Sequence, residues 1–398
     1  MEDNSINKCF RVGWVLYLVY LIERPLLSNR AIDVITMILL TLVLFWGVIR
    51  SICLFTFKDA LIFIIIVMCI LMSLLHTCGN ITLSLLKSTF CFFVTYLLIV
   101  VVSRSVVNRR TFDFVYICTI VASLLFIVYY FTPIAYLAET GSGKKYISDG
   151  FTCNLGNPNY TGIVLFILFM NLFINVRIRK NKVFITTLMF CLFFLILKTG
   201  SRACFLSIGV ALVFSIYDRI KYAKGGGKIS KSFIILVTLI PVFFIWLYLA
   251  MYYSGVKNVE ILNKSLFSGR EITYIEYLRN IRDIPEFLIG NIVDTQFNNA
   301  HNGPLAIFCS IGLIGLISIY VINISCINNI NNGTWISSIC VVCILCVFIH
   351  ACVEAAFMVG GMSSIVGMST FYFLSSFNEG KNELENNAEI IQIENVKI

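Results

Sequence analysis

The sequence predicts an all-α protein that crosses a membrane about twelve times. Of its 398 residues, 59% are apolar and 13% are charged, and the mean hydropathy is +0.90. A typical soluble domain has about 25% charged residues, so the composition excludes an ordinary soluble fold. A helix needs about 20 apolar residues to cross the hydrocarbon core, and the chain holds enough of them for about a dozen crossings.

The apolar residues are grouped into twelve runs, which predict the helices in order. Several runs are shorter than about 18 residues, and we expect those helices to include flanking polar residues. The first run ends at Glu23 and Arg24 without a small-residue cleavage site, which predicts a retained helix rather than a signal peptide. The runs are 10–22, 33–55, 60–76, 85–103, 112–134, 160–176, 183–197, 203–217, 233–253, 304–325, 335–352 and 362–378.

The basic residues predict that both termini are cytoplasmic. If the N-terminus is inside, eighteen of the thirty Lys and Arg residues fall in inner segments and eleven in outer segments, which is the bias of cytoplasmic loops. Membrane topology then accounts for most of the +9 net charge, and no nucleic-acid partner is expected. Residues 1–378 form one polytopic membrane domain in this interpretation, and the acidic tail 379–398 is expected to be disordered.

The fifteen cysteines carry little functional signal. Cys340, Cys343 and Cys346 have a CxxCxxC spacing, but they lie in an apolar run and no fourth Cys followed by Pro completes an iron–sulfur pattern. We therefore expect them to pack as small apolar residues. Cys78 and Cys153 lie in predicted outer loops, so a disulfide between them is one alternative and free thiols are the other. No group of Asp, Glu and His has metal-ligand spacing, and neither a metal nor a cofactor is expected.

Two predicted outer loops, 135–159 and 254–303, are much longer than usual connections. In the longer loop the capping-box pair Ser268 and Glu271 predicts a short helix near 269–283 that Pro285 ends. Arg270 falls in its first turn, where free backbone N–H groups favour an anion and a guanidinium can bind phosphate in a bidentate manner. An interfacial helix whose arginines reach lipid headgroups is an equally good interpretation.

Basic or histidine side chains also lie at two further positions on the predicted outer side of the membrane. Lys198 and Arg202 lie in the tight turn KTGSR. They either form an anion site or anchor the helix end to lipid headgroups. His301 immediately precedes the helix that Pro304 begins, where it is either a general base for a hydroxyl group or a loop and capping residue.

His350 and Glu354 are four residues apart at the predicted outer end of the eleventh run. This spacing places them on one helix face. Ionisable groups at such a depth suggest function, and a packing hydrogen bond between helices is the alternative.

Four segments resemble the superfamily of O-antigen polymerases and O-antigen ligases, which are integral membrane glycosyltransferases with a long periplasmic loop. The resemblance covers roughly residues 150–325, and the number of helices extends it to the whole chain. Ala203 and Cys204 depart from it, because small residues followed by an aromatic residue are commoner after the Ser-Arg pair. The segments are GNPNYTG, TGSRACFLSIGVAL, SGREITY, and IPEFLIGN followed by AHNGPLAIFCSIGLIGLI.

The resemblance implies a GT-C-like fold in the bacterial inner membrane and glycan transfer from an undecaprenyl diphosphate carrier without a metal. It implies that Arg202 and Arg270 hold the diphosphate and that His301 takes the proton of the acceptor hydroxyl. Secondary site candidates from the sequence are Arg279, Lys198, His350 and Glu354. The implied partners are the lipid-linked oligosaccharide, membrane lipids and a chain-length regulator.

Three functions stay open at this point. A polymerase adds the glycan to another lipid-linked repeat unit, and we favour it because the Asn-, Ile-, Phe- and Cys-rich composition resembles polymerases more. A ligase instead adds the glycan to the lipid A core. A flippase or other transporter is the third alternative, although the two halves of the chain show no repeat of the kind common in transporters.

Overall fold

The computed structural model confirms the all-α prediction. Most of the described chain is helical, and each of the twelve apolar runs contains a helix. Cys78, Ser268 and the tail 379–398, on which three predictions rest, lie outside the described residues. The structure describes residues 4–27, 30–77, 81–139, 145–223, 227–255, 260–261, 264–265, 270–295, 297, 300–359, 361 and 363–377.

Nine long helices occupy the first two thirds of the chain. They are α1 (Asn4–Leu27), α2 (Arg30–Arg50), α3 (Phe57–Thr77), α4 (Leu83–Val102), α5 (Arg109–Tyr130), α6 (Pro158–Asn175), α7 (Lys182–Thr199), α8 (Arg202–Ala223) and α9 (Lys231–Tyr253).

Short helices precede the last long ones. They are α10 (Arg270–Arg279), α11 (Ile284–Ile289) and α12 (Ile292–Thr295), followed by α13 (Gly303–Ile330), α14 (Trp335–His350), a π-helix (Ser363–Met368) and α15 (Ser369–Leu374). Single turns of 3₁₀ helix occur at Ile52–Leu54 and Pro133–Tyr136.

Two small antiparallel hairpins lie in the two long loops. The first pairs β1 (Leu137–Glu139) with β2 (Lys145–Ile147), and the second pairs β3 (Glu260–Ile261) with β4 (Lys264–Ser265).

Nine helices among the described residues are long and apolar enough to cross a membrane: α1–α7, α9 and α13. Three more apolar helices are shorter, over Arg202–Tyr217, Trp335–His350 and Ile365–Leu374. Many large apolar side chains on α2, α3 and α7 are exposed, as expected of helices whose outer faces meet lipid. The chain is therefore a multi-pass membrane protein.

The centre of the bundle is formed by α6 and α14. Every residue of α14 from Ile336 to His350 is buried, and so is every residue of α6 from Thr161 to Asn175. The thiols of Cys340, Cys343 and Cys346 are packed here as expected. Helices α8, α9 and α15 pack around α14, while α5 and α7 flank α6.

Side-chain caps define where many helices begin. In each case a Ser, Thr or Asn oxygen accepts the N–H of the residue three positions later, which satisfies a backbone donor that the helix itself cannot pair. The capping residues are Thr82, Asn108, Asn157, Ser230, Asn302 and Thr334.

The predicted loop helix near 269–283 is shorter than expected, and the proposed role of Pro285 is wrong. Helix α10 ends at Arg279, and Pro285 lies in the first turn of the separate helix α11. The Asp283 carboxylate caps α11 by accepting the N–H of Glu286 at 2.7 Å. Proline is favoured in a first turn, because its missing N–H would have no helical partner there.

Helix α13 is interrupted where α11 meets it. Gly312 has φ +69° and ψ −174°, and a Cβ there would lie 2.3 Å from the backbone of Leu288. The carbonyl of Cys309, whose regular helical partner would be the N–H of Leu313, accepts the N–H of Asn291 at 2.8 Å. The end of the long loop is thus built into the bundle.

Gly162 allows α6 and α8 to approach closely. A Cβ at this position would lie 2.8 Å from Cβ of Ser201 and 3.2 Å from Sγ of Cys204. This contact brings the first turn of α6 beside the turn that precedes Arg202.

We expect Gly162→Ala to destabilise the protein by about 2 kcal/mol, since overpacking of a tight contact typically costs 1–3 kcal/mol. The thermal unfolding midpoint of the detergent-solubilised protein should fall by several degrees. Gly209→Ala in α8 is the matched control, because no atom lies within 4 Å of a Cβ built there. A helical alanine at that position should leave the midpoint unchanged or raise it. Equal midpoints for Gly162→Ala and the wild type would contradict the close approach.

Candidate active site

Asn302 fixes the start of α13 and places His301 beside it. The Asn302 Oδ1 atom accepts the N–H of Leu305 at 2.9 Å, and its Nδ2 donates to the carbonyls of Pro241 and Cys352, both at 3.1 Å. One buried amide therefore joins α9, α13 and the turn after α14. The prediction that His301 directly precedes a helix with Pro304 in its first turn is confirmed.

His301 adopts a left-handed backbone conformation, with φ +55°. Such a conformation costs a non-glycine residue about 1–3 kcal/mol and persists where the surroundings enforce it. The Tyr274 hydroxyl donates to the His301 carbonyl at 3.1 Å and lies 3.3 Å from the carbonyl of Cys352. Burial raises the pKa of Tyr274, although the nearby Arg270 opposes this shift. The tyrosine therefore remains a proton donor at neutral pH.

Glu354 is the centre of the site. Its side chain is 3% exposed and follows α14 in a turn. The Oε1 atom accepts from Asn159 Nδ2 at 2.8 Å and from Arg270 Nη2 at 3.3 Å, while Oε2 lies 3.4 Å from Nδ1 of His301. A buried carboxylate needs such partners, because burial of an uncompensated charge is costly.

Arg202 adds a second positive charge beside Arg270. It begins α8 directly after the turn in which Gly200 has φ +66°. Its guanidinium interacts electrostatically with Arg270 and with Tyr248 of α9. The Tyr248 and Tyr274 rings are 5.4 Å apart. The two like charges of Arg202 and Arg270 repel each other, and an anion bound between them would relieve that repulsion.

The structure thus brings together Arg202, Arg270, His301 and Glu354 from four distant parts of the chain. The loop helix α10 contributes Arg270, the first turn of α8 contributes Arg202, and the start of α13 contributes His301. We call these four residues the Glu354 cluster, and the end of the bundle where they lie the cluster end.

Lys198 and Arg279 lie outside the Glu354 cluster. Lys198 is exposed at the end of α7, with its ammonium group 5.3 Å from the centre of the Phe194 ring. Arg279 is exposed at the far end of α10 from Arg270, about 14 Å along the helix axis at 1.5 Å per residue.

Helix α14 ends at His350, and the N–H of Glu354 still donates to the His350 carbonyl at 3.2 Å, so the four-residue spacing continues the helical geometry into the turn. His350 is fully buried, with Nε2 3.5 Å from Sγ of Cys204 and its ring against Phe166 and Phe357. The carboxylate of Glu354 instead contacts Asn159, Arg270 and His301. The side-chain contacts of Glu354 thus include Arg270 and His301, and those of His350 include Cys204.

Sequence reasoning missed Asn159 and the roles of Tyr274 and Asn302. Asn159 lies in an Asn-x-Thr triplet, which in so Asn-rich a chain carried no signal, but it also lies in the segment GNPNYTG that resembles the superfamily. Asn302 and Tyr274 act through backbone carbonyls, for which a sequence pattern gives no indication.

Comparison of the chain with family models, with curated proteins and with solved structures gives no match. Within the described residues, no group of three or more His, Cys, Asp and Glu side chains is arranged to hold a metal ion. The chemistry of the Glu354 cluster follows from its own geometry. It combines fixed guanidinium donors for an anion with an imidazole whose Nδ1 faces a carboxylate.

We expect Glu354→Leu to destabilise the protein by about 3 kcal/mol, since removal of one partner of a buried ion pair leaves an uncompensated charge. Arg270 would then lose its carboxylate partner while the repulsion from Arg202 remains. Adding Arg270→Met should restore most of the loss in thermal unfolding midpoint.

The control for this prediction is Arg282→Met, which breaks the exposed 2.8 Å pair with Asp294. Exposed pairs contribute about 0–1 kcal/mol, so little change is expected. A Glu354→Leu protein as stable as the Arg282→Met protein would show that the buried carboxylate does not hold the cluster together.

Proposed function

We propose that the protein is a membrane glycosyltransferase that moves a growing glycan from undecaprenyl diphosphate to a hydroxyl group of another lipid-linked repeat unit, as an O-antigen polymerase does. One observation carries the proposal. Of the three residues that the sequence resemblance singles out, Arg270 and His301 contact one buried carboxylate, and Arg202 lies close enough to Arg270 for the two charges to interact.

The two arginines suit the leaving group of this reaction. As the acceptor oxygen bonds to the anomeric carbon, the bond from that carbon to the diphosphate oxygen breaks, and its electron pair leaves with the diphosphate. Guanidinium groups held in place stabilise this developing charge without reorganising. Arg270 uses one nitrogen on Glu354, and a guanidinium carries five N–H donors in all.

His301 suits the proton transfer. His301 Nδ1 lies 3.4 Å from Oε2 of Glu354, so in the tautomer that carries its proton on Nδ1 the N–H would face the carboxylate and Nε2 would be the basic atom. The His301 side chain is 37% exposed, whereas that of Glu354 is 3% exposed. Substrate can therefore reach the imidazole, and Glu354 orients it from behind. A positioned base typically contributes about 10²- to 10⁴-fold in rate.

The membrane topology fits the same function. We place the cluster end at the periplasmic face of a bacterial inner membrane, with both termini in the cytoplasm. Twelve spans require the three shorter apolar helices to cross as well. Lipid-linked substrates would then reach the cluster from the outer leaflet.

Changing Arg202, Arg270 or His301 to Ala should leave protein abundance normal and abolish long-chain surface polysaccharide. Each change removes a group that acts on the leaving diphosphate or on the acceptor proton. Chain lengths are read from a gel of surface polysaccharide in a strain that lacks the chromosomal gene. Arg282→Ala, in the same loop but paired with Asp294, is the control and should keep normal chains. Normal chain lengths in all three variants would rule out this site.

Arg270→Lys should be almost as harmful as Arg270→Ala if the diphosphate is bound by a planar pair of donors, because an ammonium group cannot reproduce that geometry. The measurement is the initial rate of chain elongation by membranes supplied with the lipid-linked repeat unit. Full activity of the Lys variant would indicate a headgroup anchor instead.

O-antigen ligase is a second candidate, since only the acceptor differs. Deleting the gene distinguishes the two: core carrying a single repeat unit is expected for a polymerase, and bare core for a ligase.

A transporter is a third candidate, and the interruption of α13 at Gly312 favours it, because transporters use broken helices. Here the backbone of Leu288 and Ile289 fills the break, which favours a packing role. Loss of the repeat unit from the periplasmic face in the deletion strain would support transport.

A further inference from the structure

A cavity opens at the cluster end, between α1, α2, α4 and α6. It has a volume of about 410 Å³, within the range of about 300–1,000 Å³ that small-molecule sites occupy. Polar groups converge on it from all four helices. They are Tyr20, Arg24, Asp33, Lys87, Asn157 and Tyr160.

The lining mixes both signs of charge with aromatic rings. Arg24 and Asp33 form an ion pair whose side chains remain 12% and 19% exposed, so that pair can offer both donors and acceptors to a ligand. Lys87 is exposed at the start of α4, and no carboxylate among the described residues pairs with it. Tyr20 and Tyr160 contribute rings with polar tips, while Val34, Met37 and Leu155 supply apolar surface.

This lining matches the chemistry of a sugar ring. A pyranose presents hydroxyl groups that both donate and accept, which charged planar groups pair strongly, and it presents C–H faces that pack on aromatic rings. A phosphate group would instead favour a lining without Asp33. A lipid chain would favour a lining without the ion pair, because burying polar groups against hydrocarbon is costly.

The first turn of α6 joins the cavity to the Glu354 cluster. Asn159 donates to Glu354 on one side, and the next residue, Tyr160, lines the cavity on the other. Adjacent Cα atoms are 3.8 Å apart, so the two sites share one short wall. Gly361, seven residues after Glu354, also lines the cavity.

We propose that this cavity binds a sugar ring of the acceptor glycan and so presents the acceptor hydroxyl to the Glu354 cluster. This inference rests on the proposed glycosyltransferase function, and it assigns donor and acceptor to opposite sides of the Asn157–Tyr160 turn. The donor diphosphate occupies the arginine side, and the acceptor saccharide occupies the Tyr160 side.

Tyr160→Ala and Lys87→Met each remove one lining group from the cavity, and Tyr160→Ala also removes a side-chain hydrogen bond to the buried Tyr20. The N–H of Tyr160 donates to the capping Asn157 Oδ1 at 2.8 Å, and this backbone bond survives the loss of the side chain. Lys87→Met keeps the methylene chain and removes the charge. Tyr146→Ala and Lys145→Met, in the exposed strand β2, are the matched controls.

The probe is the free repeat-unit oligosaccharide, released from the source organism's own surface polysaccharide. It can serve as acceptor but never as donor, because it has no diphosphate leaving group. Its binding to the full-length protein in nanodiscs is measured by saturation-transfer NMR, and its apparent KM by transfer from the lipid-linked repeat unit.

We expect the wild type and both controls to give the NMR signal, and Tyr160→Ala and Lys87→Met to lose most of it. The apparent KM for the free oligosaccharide should rise at least about tenfold in these two variants, as for loss of an aromatic or charged anchor. The KM for the lipid-linked donor should be unchanged. Arg270→Ala should lose transfer but keep the NMR signal.

The outcomes separate the two proposals. Transfer by the wild type with equal NMR signals and KM values in all variants would overturn the cavity assignment and leave the glycosyltransferase function standing. A signal that depends on Tyr160 and Lys87, without any transfer by the wild type, would overturn the proposed function and keep the cavity as a saccharide site. If the wild type shows neither transfer nor an NMR signal, both the glycosyltransferase function and the cavity assignment are overturned.

Discussion

The buried carboxylate of Glu354 is the constraint on which the rest of the site depends. A charge at that depth is tolerated only when opposite charge and hydrogen-bond donors surround it. Arg270, His301 and Asn159 satisfy this need from α10, the start of α13 and the start of α6. The contacts that stabilise the carboxylate therefore bring together a guanidinium, an imidazole and the turn of α6 that lines the neighbouring cavity.

The long loop holds Arg270 in position because its C-terminal part belongs to the helix bundle. Ser73 of α3 donates to the carbonyl of Gly290 at 2.9 Å and accepts the N–H of Ile292 at 2.9 Å. Phe297 stacks on Phe92 of α4 with ring centres 4.2 Å apart. These contacts, together with the interruption of α13 at Gly312, hold α11, α12 and Phe297 against the bundle. Arg270 precedes these anchored elements in the chain and His301 follows them.

Much of the fold was predictable, because long apolar runs indicate membrane helices from local sequence alone. The site was predictable only in part. Arg202, Arg270 and His301 stood out by charge and by the resemblance of their segments. The contacts of Glu354 did not, since its partners Asn159 and Arg270 are 195 and 84 residues away. The interruption of α13 at Gly312 could not be predicted either. It depends on the backbone of Leu288, and the sequence on both sides of Gly312 is apolar.

The central claim is that Arg202 and Arg270 form a diphosphate site. It is tested most directly by the dissociation constant of undecaprenyl diphosphate for the purified protein in nanodiscs, compared with undecaprenyl monophosphate. A hydrogen bond to a charged group contributes about 1.5–3 kcal/mol, so we predict that Arg202→Ala and Arg270→Ala each weaken diphosphate binding by at least about tenfold, whereas Arg282→Ala does not. Equal dissociation constants for the wild type and the Arg202 and Arg270 variants would contradict the account.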